Sequence, residues 1–168
     1  LSRAPASISV ASRKTALGRT GAVRQNPAMA LHLLKLCVGV DRVSDLAQWQ
    51  ARRLADACSR GEKPQLLHIT RNTPKRAQEI LDGGSLYWVI KRLIRVRQRI
   101  VGVEPYERED SRPGCALVLD PQLVRTEIRN FRPFQGWRYF SADDTPRDAP
   151  LGVGGGDDFP PEMAAELR

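Results

Sequence analysis

Ser85-Leu86-Tyr87-Trp88-Val89-Ile90-Lys91-Arg92-Leu93-Ile94-Arg95-Val96-Arg97-Gln98-Arg99-Ile100 is the stretch on which the fold turns. Its first seven residues are dense in aromatic and β-branched side chains, which predicts a strand over Ser85–Lys91. The second half alternates. As a strand it places Ile94, Val96 and Ile100 on one face and Arg95, Arg97 and Arg99 on the other. The competing arrangement is one long helix from Tyr87 to Val101, but its apolar positions would scatter around the axis, so two strands fit better.

Upstream, Leu31–Val38 is apolar nearly throughout and reads as a first strand, closed by Gly39. Ser44 is a suitable N-cap, and Leu46, Trp49, Arg53, Leu54 and Ala57 recur at helical spacing up to Gly61, a natural stop. Gln65–Thr70 reads as a second strand. Thr73-Pro74 offers an N-cap followed by proline at the first helical position, with Ala77, Ile80 and Leu81 facing a core and Gly83-Gly84 ending the helix. Downstream, the charged stretch Glu104–Arg112, flanked by Pro105 and Pro113, reads as a hairpin loop. Cys115–Leu119 returns as a strand, Asp120-Pro121 turns, and Leu123–Ile128 continues extended. The order βαβα followed by strands predicts an α+β domain over 29–140 with both helices in its N-terminal half.

Charge sharpens these boundaries. The chain carries a net +8. Residues 1–28 hold five basic residues (Arg3, Arg13, Lys14, Arg19 and Arg24) and no acid, and show no sustained apolar periodicity. That composition reads as a flexible basic extension lying upstream of the true start, because Met29 opens the first patterned segment; a transit peptide and a genuine flexible arm are the other readings. Residues 141–168 hold seven acids against Arg147 and Arg168 and read as an acidic Gly/Pro-rich tail. Its Gly152–Gly156 run lacks the third glycine, the preceding strand and the charge a phosphate loop needs. The ends cancel, so the excess positive charge belongs to 29–140. Cys37, Cys58 and Cys115 are odd in number and widely spaced, which favours buried thiols in a reducing compartment and a cytoplasmic location. No apolar run is long enough for a membrane-spanning helix, and no partner membrane is expected.

Certain strings go beyond composition: Met29-Ala-Leu-His-Leu-Leu-Lys-Leu36, Leu81-Asp-Gly-Gly-Ser-Leu-Tyr-Trp-Val-Ile-Lys91, Arg97-Gln-Arg99, Leu119-Asp-Pro121 and Arg132-Pro-Phe-Gln-Gly-Trp-Arg-Tyr139. Over about 29–140 they resemble the alphaproteobacterial domain-of-unknown-function family numbered 1489. The resemblance implies a start at Met29 and no particular activity. It also implies glycine where this chain has Arg92, which argues against a sharp turn after Lys91. A second likeness, in element order and in the Tyr87-Trp88 strand, is to PUA-like and ASCH-like small β-barrels, which mostly bind RNA or modified nucleobases. The expected architecture is therefore a small mixed sheet or a PUA-like β-barrel with two helices.

No catalytic set, metal site or cofactor is expected. Gly83-Gly84-Ser85-Leu86-Tyr87 misses the nucleophile elbow by its last residue, and both histidines precede Ser85 where a hydrolase triad needs one after. The strongest chemical feature is basic: Lys91, Arg95, Arg97 and Arg99, with Arg71, form an anion-binding candidate, since guanidinium groups bind phosphate bidentately. Its plainer reading is a solvated or edge-guarding strand face. Arg132, Trp137 and Arg138 interleave aromatics with cations, as single-strand binders do, or else cap the core while the arginines reach outward. His32 and His68 lie on the first two strands. If those strands pair, the imidazoles meet and, with Asp82 or Cys37, make a proton-transfer or metal site; the plainer reading is two hydrogen-bonded structural histidines. Tyr87 is grouped with them as a pocket residue.

These residues suggest an RNA- or nucleotide-binding module. The alternatives are a small enzyme or binding protein for an anionic metabolite, with His32, His68, Arg71 and Lys91 around a pocket, and a scaffold for an acidic protein partner.

Overall fold

The computed structural model describes residues 30–150; the extension over 1–28 and the residues from Leu151 onward, including the glycine run, lie outside them. The elements follow as β1 (Leu31–Leu36), α1 (Val43–Ser59), β2 (Leu66–Thr70), α2 (Ala77–Leu81), β3 (Ser85–Ile90), β4 (Leu93–Glu107), β5 (Pro113–Leu119), β6 (Val124–Asn130) and β7 (Trp137–Ser141), then a 3-10 turn at Ala142–Asp144. They form an α+β domain around one mixed sheet of order β2-β5-β4-β3-β1-β7, with β6 pairing β4 off this path. Only β1 and β3 run parallel, joined through α1, β2 and α2; the other pairs are antiparallel.

The sheet curls but does not close. His68 on β2 and Trp88 on β3 are separated by β5 and β4, yet their rings meet edge-on at 5.1 Å. A closed barrel would need a backbone ladder between β2 and β7, and the chain bends away at Arg71-Asn72 and Pro74 before one forms. Two hydrogen bonds join the edges instead. The Trp137 indole N–H donates to the Asn72 carbonyl at 3.1 Å, and the Arg76 peptide N–H to the Tyr139 hydroxyl at 3.3 Å. The barrel expectation is corrected accordingly to an open, curled sheet.

Side-chain alternation gives the sheet two faces. Leu31, Leu33, Leu86, Trp88, Ile90, Val96, Ile100, Cys115, Leu117 and Leu119 turn inward and pack with Val43 and Leu46 of α1 and Ile80 of α2. Leu34, Tyr87, Val89, Ile94 and Phe140 form a smaller apolar cluster on the outer face. Behind the inner core lies one polar group. Gln50 of α1 and Gln98 of β4 exchange two amide hydrogen bonds of 2.8 Å each. Gln98 also accepts from the Trp88 indole at 2.9 Å and donates to the Asp120 carbonyl at 3.0 Å. Every donor named there is paired, so the network fixes how α1 sits on the sheet without leaving a buried polar group open.

Local differences from the sequence reading have local causes. Helix α1 starts before Ser44, with Arg42 as N-cap, because Asp45 three residues on accepts the Arg42 N–H at 3.1 Å. Helix α2 begins at Ala77, so Pro74 precedes it. At its end Gly84 donates to the Ile80 carbonyl at 2.7 Å, and a Cβ at Gly84 would stand 2.3 Å from the Leu31 carbonyl oxygen. Strand β4 continues through Glu104 and Pro105 to Glu107, shortening the loop to 108–112; beside Pro105 it is paired only with β5, so the missing N–H can face the open side. Lys91 and Arg92 adopt φ of 49° and 66° and make a tight turn after all, with Ile90 and Leu93 paired across it. The aromatic string after Arg132, to which the sequence reading assigned no element, supplies β7 on the far edge of β1.

The 3-10 turn and the residues to Pro150 pack back on the sheet. Thr126 and Asp148 form a β-bridge, and Ala149 N–H donates to the Arg125 carbonyl at 2.9 Å.

Candidate functional site

The arginine face of β4 does not assemble as the alternation predicts. Trp88 pairs with Val96 and Val89 with Ile94, so Arg95 is the extra residue of a β-bulge and is only 7% exposed. Arg97 and Arg99 do share the outer face. Arg97, however, is engaged by the chain itself, its guanidinium gripping Asp148 through two hydrogen bonds of 2.7 and 2.6 Å and reaching the Ser85 hydroxyl at 3.1 Å. This pairing holds the Asp148 carboxyl below its usual range, chiefly through the hydrogen bonds from Arg97. Lys91 pairs with Asp41 at 2.9 Å and borders a shallow hollow with Arg132. Arg138 lies over the Phe134 ring, 4.8 Å from its centroid.

The two histidines are not brought together either, because β1 pairs with β3 and β7 and not with β2. His32 faces outward, its Nδ1 accepting the Ser85 N–H at 3.0 Å and its ring edge-on to Tyr87 at 5.3 Å. Tyr87 is itself buried beneath Phe140. His68 faces inward. The four residues suggested for a metabolite pocket, His32, His68, Arg71 and Lys91, therefore do not converge, which removes that particular arrangement.

What the fold assembles is a groove along the open seam. Lys35 points inward at the end of β1, in register with Trp88 on β3 and with Trp137 on β7. A lysine thus stands between two indoles on three adjacent strands. It has no ion-pair partner among the described residues, and burial pushes its ammonium pKa down. On one side of it opens a cavity of ≈ 430 Å³ under α1, lined by Lys35, Cys37, Val38, Val40, Asp45, Leu46, Trp49, Arg52, His68 and Trp88. On the other lies a hollow of ≈ 520 Å³ that shares Lys35 and adds Thr70, Arg71, Asn72, Gln135 and Trp137. A third, of ≈ 560 Å³, continues past Arg71 and Trp137 to Lys75 and Tyr139. All three tryptophans of the chain line this groove.

Its charge is one-sided. Among the described residues the lining sets Lys35, Arg52, Arg71 and Lys75 against one acid, Asp45, which accepts the Arg42 N–H at the start of α1. The exposed rings are Trp49, with the Arg53 guanidinium 4.7 Å from its centroid, and Tyr139, edge-on to Trp137 at 5.0 Å. His68 is held neutral: burial, then the charges of Lys35 and Arg53, lower its pKa to about 4. Its Nε2 is buried without a hydrogen-bond partner among the described residues, an omission that costs about 1–3 kcal/mol unless a ligand supplies one. Burial raises the Cys37 thiol to about 11, so no thiolate nucleophile stands in the cavity. No group of three or more His, Cys, Asp or Glu among the described residues could hold a metal ion.

Of the residues singled out from sequence, Arg71, Trp137 and His68 belong to this groove, whereas Lys91, Arg95, Arg97, Arg99, Arg132, Arg138, His32 and Tyr87 do not. Sequence reasoning missed Lys35, Arg52 and the exposure of Trp49, which it counted only in the helical repeat of α1. A signal for Lys35 was present: it follows Leu31 and Leu33 on the inward side of a strand, where a cation needs a reason.

Among the described residues no helix is long and apolar enough to cross a membrane. No curated protein and no solved structure matches the chain. What does match is the family whose description reads protein of unknown function (DUF1489), over residues 33–168, a span that takes in both walls of the groove; the chain belongs to that family.

Proposed function

We propose that this domain is a binding module for single-stranded RNA, held in the groove between the two edges of the curled sheet. The observation that carries the reading is Lys35 standing in register between Trp88 and Trp137, in a groove lined by every tryptophan of the chain. Base stacking on exposed rings contributes ~1–3 kcal/mol per base and is indifferent to sequence, while cations spaced along a groove follow the phosphates. Trp49, Trp137 and Tyr139 supply the rings; Lys35, Arg52, Arg71 and Lys75 supply the charge. An acidic protein partner would use the same cations but leaves the aligned aromatics without a purpose.

Titrating the protein with single-stranded RNA while following tryptophan emission tests this. Quenching that saturates, weakens with salt and is not reproduced by polyglutamate supports it. No binding at ~50 mM salt would overturn it.

A further inference from the structure

The groove is not an open channel. The cavity under α1 has a floor: Trp88 and Leu46, 4% and 1% exposed, with the Gln50–Gln98 amide pair packed behind Trp88. A strand that followed Arg71 and Trp137 past Lys35 would meet that floor beneath α1.

The polar atoms waiting there are unusual for a site that only tracks a backbone. Lys35 and Arg52 border the cavity without an ion-pair partner among the described residues. Among the described lining residues the one carboxylate is Asp45, which accepts the Arg42 N–H and leaves the cations in excess. The neutral imidazole of His68 keeps a buried, unpartnered Nε2. A terminal phosphomonoester carries more charge and one more free oxygen than an internal phosphodiester, and it matches a pair of unpartnered cations beside a neutral hydrogen-bonding ring.

We propose that the cavity is an end-recognition site: it takes the phosphorylated terminal nucleotide of a single strand, with the terminal phosphate between Lys35 and Arg52 and the rest of the strand leaving along Arg71 and Trp137. The proposal rests on the groove being a nucleic-acid site, and it adds that the ligand is a strand end and not an internal segment.

The test compares affinities of the full chain for one RNA sequence of about ten nucleotides, within the usual site size, in four forms: 5′-phosphorylated, 3′-phosphorylated, unphosphorylated and circular. One phosphorylated linear form should bind at least ~10-fold tighter than the circle, and the 5′ and 3′ arms report which end enters. Lys35→Met should weaken all four forms and also abolish the preference for the phosphate, so the readout is the ratio of phosphorylated linear to circular affinity, which should fall to about 1. Equal binding of circular and phosphorylated linear RNA overturns end recognition and leaves the groove reading standing. Absence of binding by all four forms overturns both. A Lys35→Met protein that has lost its thermal unfolding transition is replaced by Arg52→Ala, which sits on the exposed side of α1 and must then show the same loss of phosphate preference.

Discussion

Lys35 on β1 is the register partner of Trp137 on β7, and both side chains stand on the inner face of the sheet. That single pairing ties a half-buried cation to the residue that bridges the two sheet edges, and the first two predictions follow from it.

Trp137 acts twice, as a ring in the groove and as donor to Asn72 across the seam. Trp137→Ala should weaken RNA binding by ~1–3 kcal/mol. Trp137→Phe, which keeps a ring but lacks the N–H, should fall between wild type and alanine in fluorescence-anisotropy titrations. Equal affinity of all three proteins would show that the seam is not where RNA stacks.

Lys35 should be a residue that the fold would do better without. Its ammonium is partly desolvated on an otherwise apolar strand face, so Lys35→Leu should raise the urea midpoint of unfolding while lowering RNA affinity. Loss of stability in this variant would mean that the lysine serves the fold and not a ligand.

Acid should destabilise the domain over a defined window. Both His32 and His68 titrate at about 4 in the folded protein because burial disfavours their charged forms, with nearby Arg97 acting on the first and Lys35 and Arg53 on the second. Their unfolded values are near 6.5, so between pH ~6.5 and ~4 the unfolded chain binds protons that the folded one does not. Stability is therefore full above about pH 6.5, falls as pH drops toward 4 and then levels off, by at most about 3 kcal/mol per histidine. Urea midpoints measured across this range check it, and a His32→Gln, His68→Gln protein should show a flatter profile.

The amide pair behind Trp88 should be the most sensitive polar element of the core. Gln98→Leu strands the Gln50 amide and the Trp88 indole N–H in a buried setting, a loss of about 2–4 kcal/mol. Gln50→Leu combined with it should cost less than the sum of the two single changes, since the second removes a group already left unpaired. Thermal unfolding of the four proteins closes the cycle.

Much of the fold was legible because it is written in local patterns. The β-branched and aromatic run at Ser85–Ile90 makes β3, and the alternation from Ile94 makes the start of β4. Gly61 ends α1 as expected, with φ of 70° and the Glu62 N–H closing on the Ala57 carbonyl at 2.9 Å. What escaped depends on partners distant in sequence. Nothing around Arg95 announces a bulge; it arises where β3 and β6 both have to fit β4. Asp148, read as part of an acidic tail, neutralises Arg97 from fifty-one residues away. The groove itself exists only because the sheet curls far enough to bring Asn72 to Trp137, and that curvature has no short-range signature.

The sharpest test sets the groove against the outer arginine face by the salt dependence of RNA affinity. In single strands each neutralised phosphate adds about 0.7 to the slope of log affinity against log salt. A Lys35→Met, Arg71→Ala, Lys75→Ala protein should lose about 2 from that slope, and an Arg99→Ala, Arg132→Ala, Arg138→Ala protein should keep the wild-type value. A slope that survives the first set of changes and collapses with the second would contradict the account.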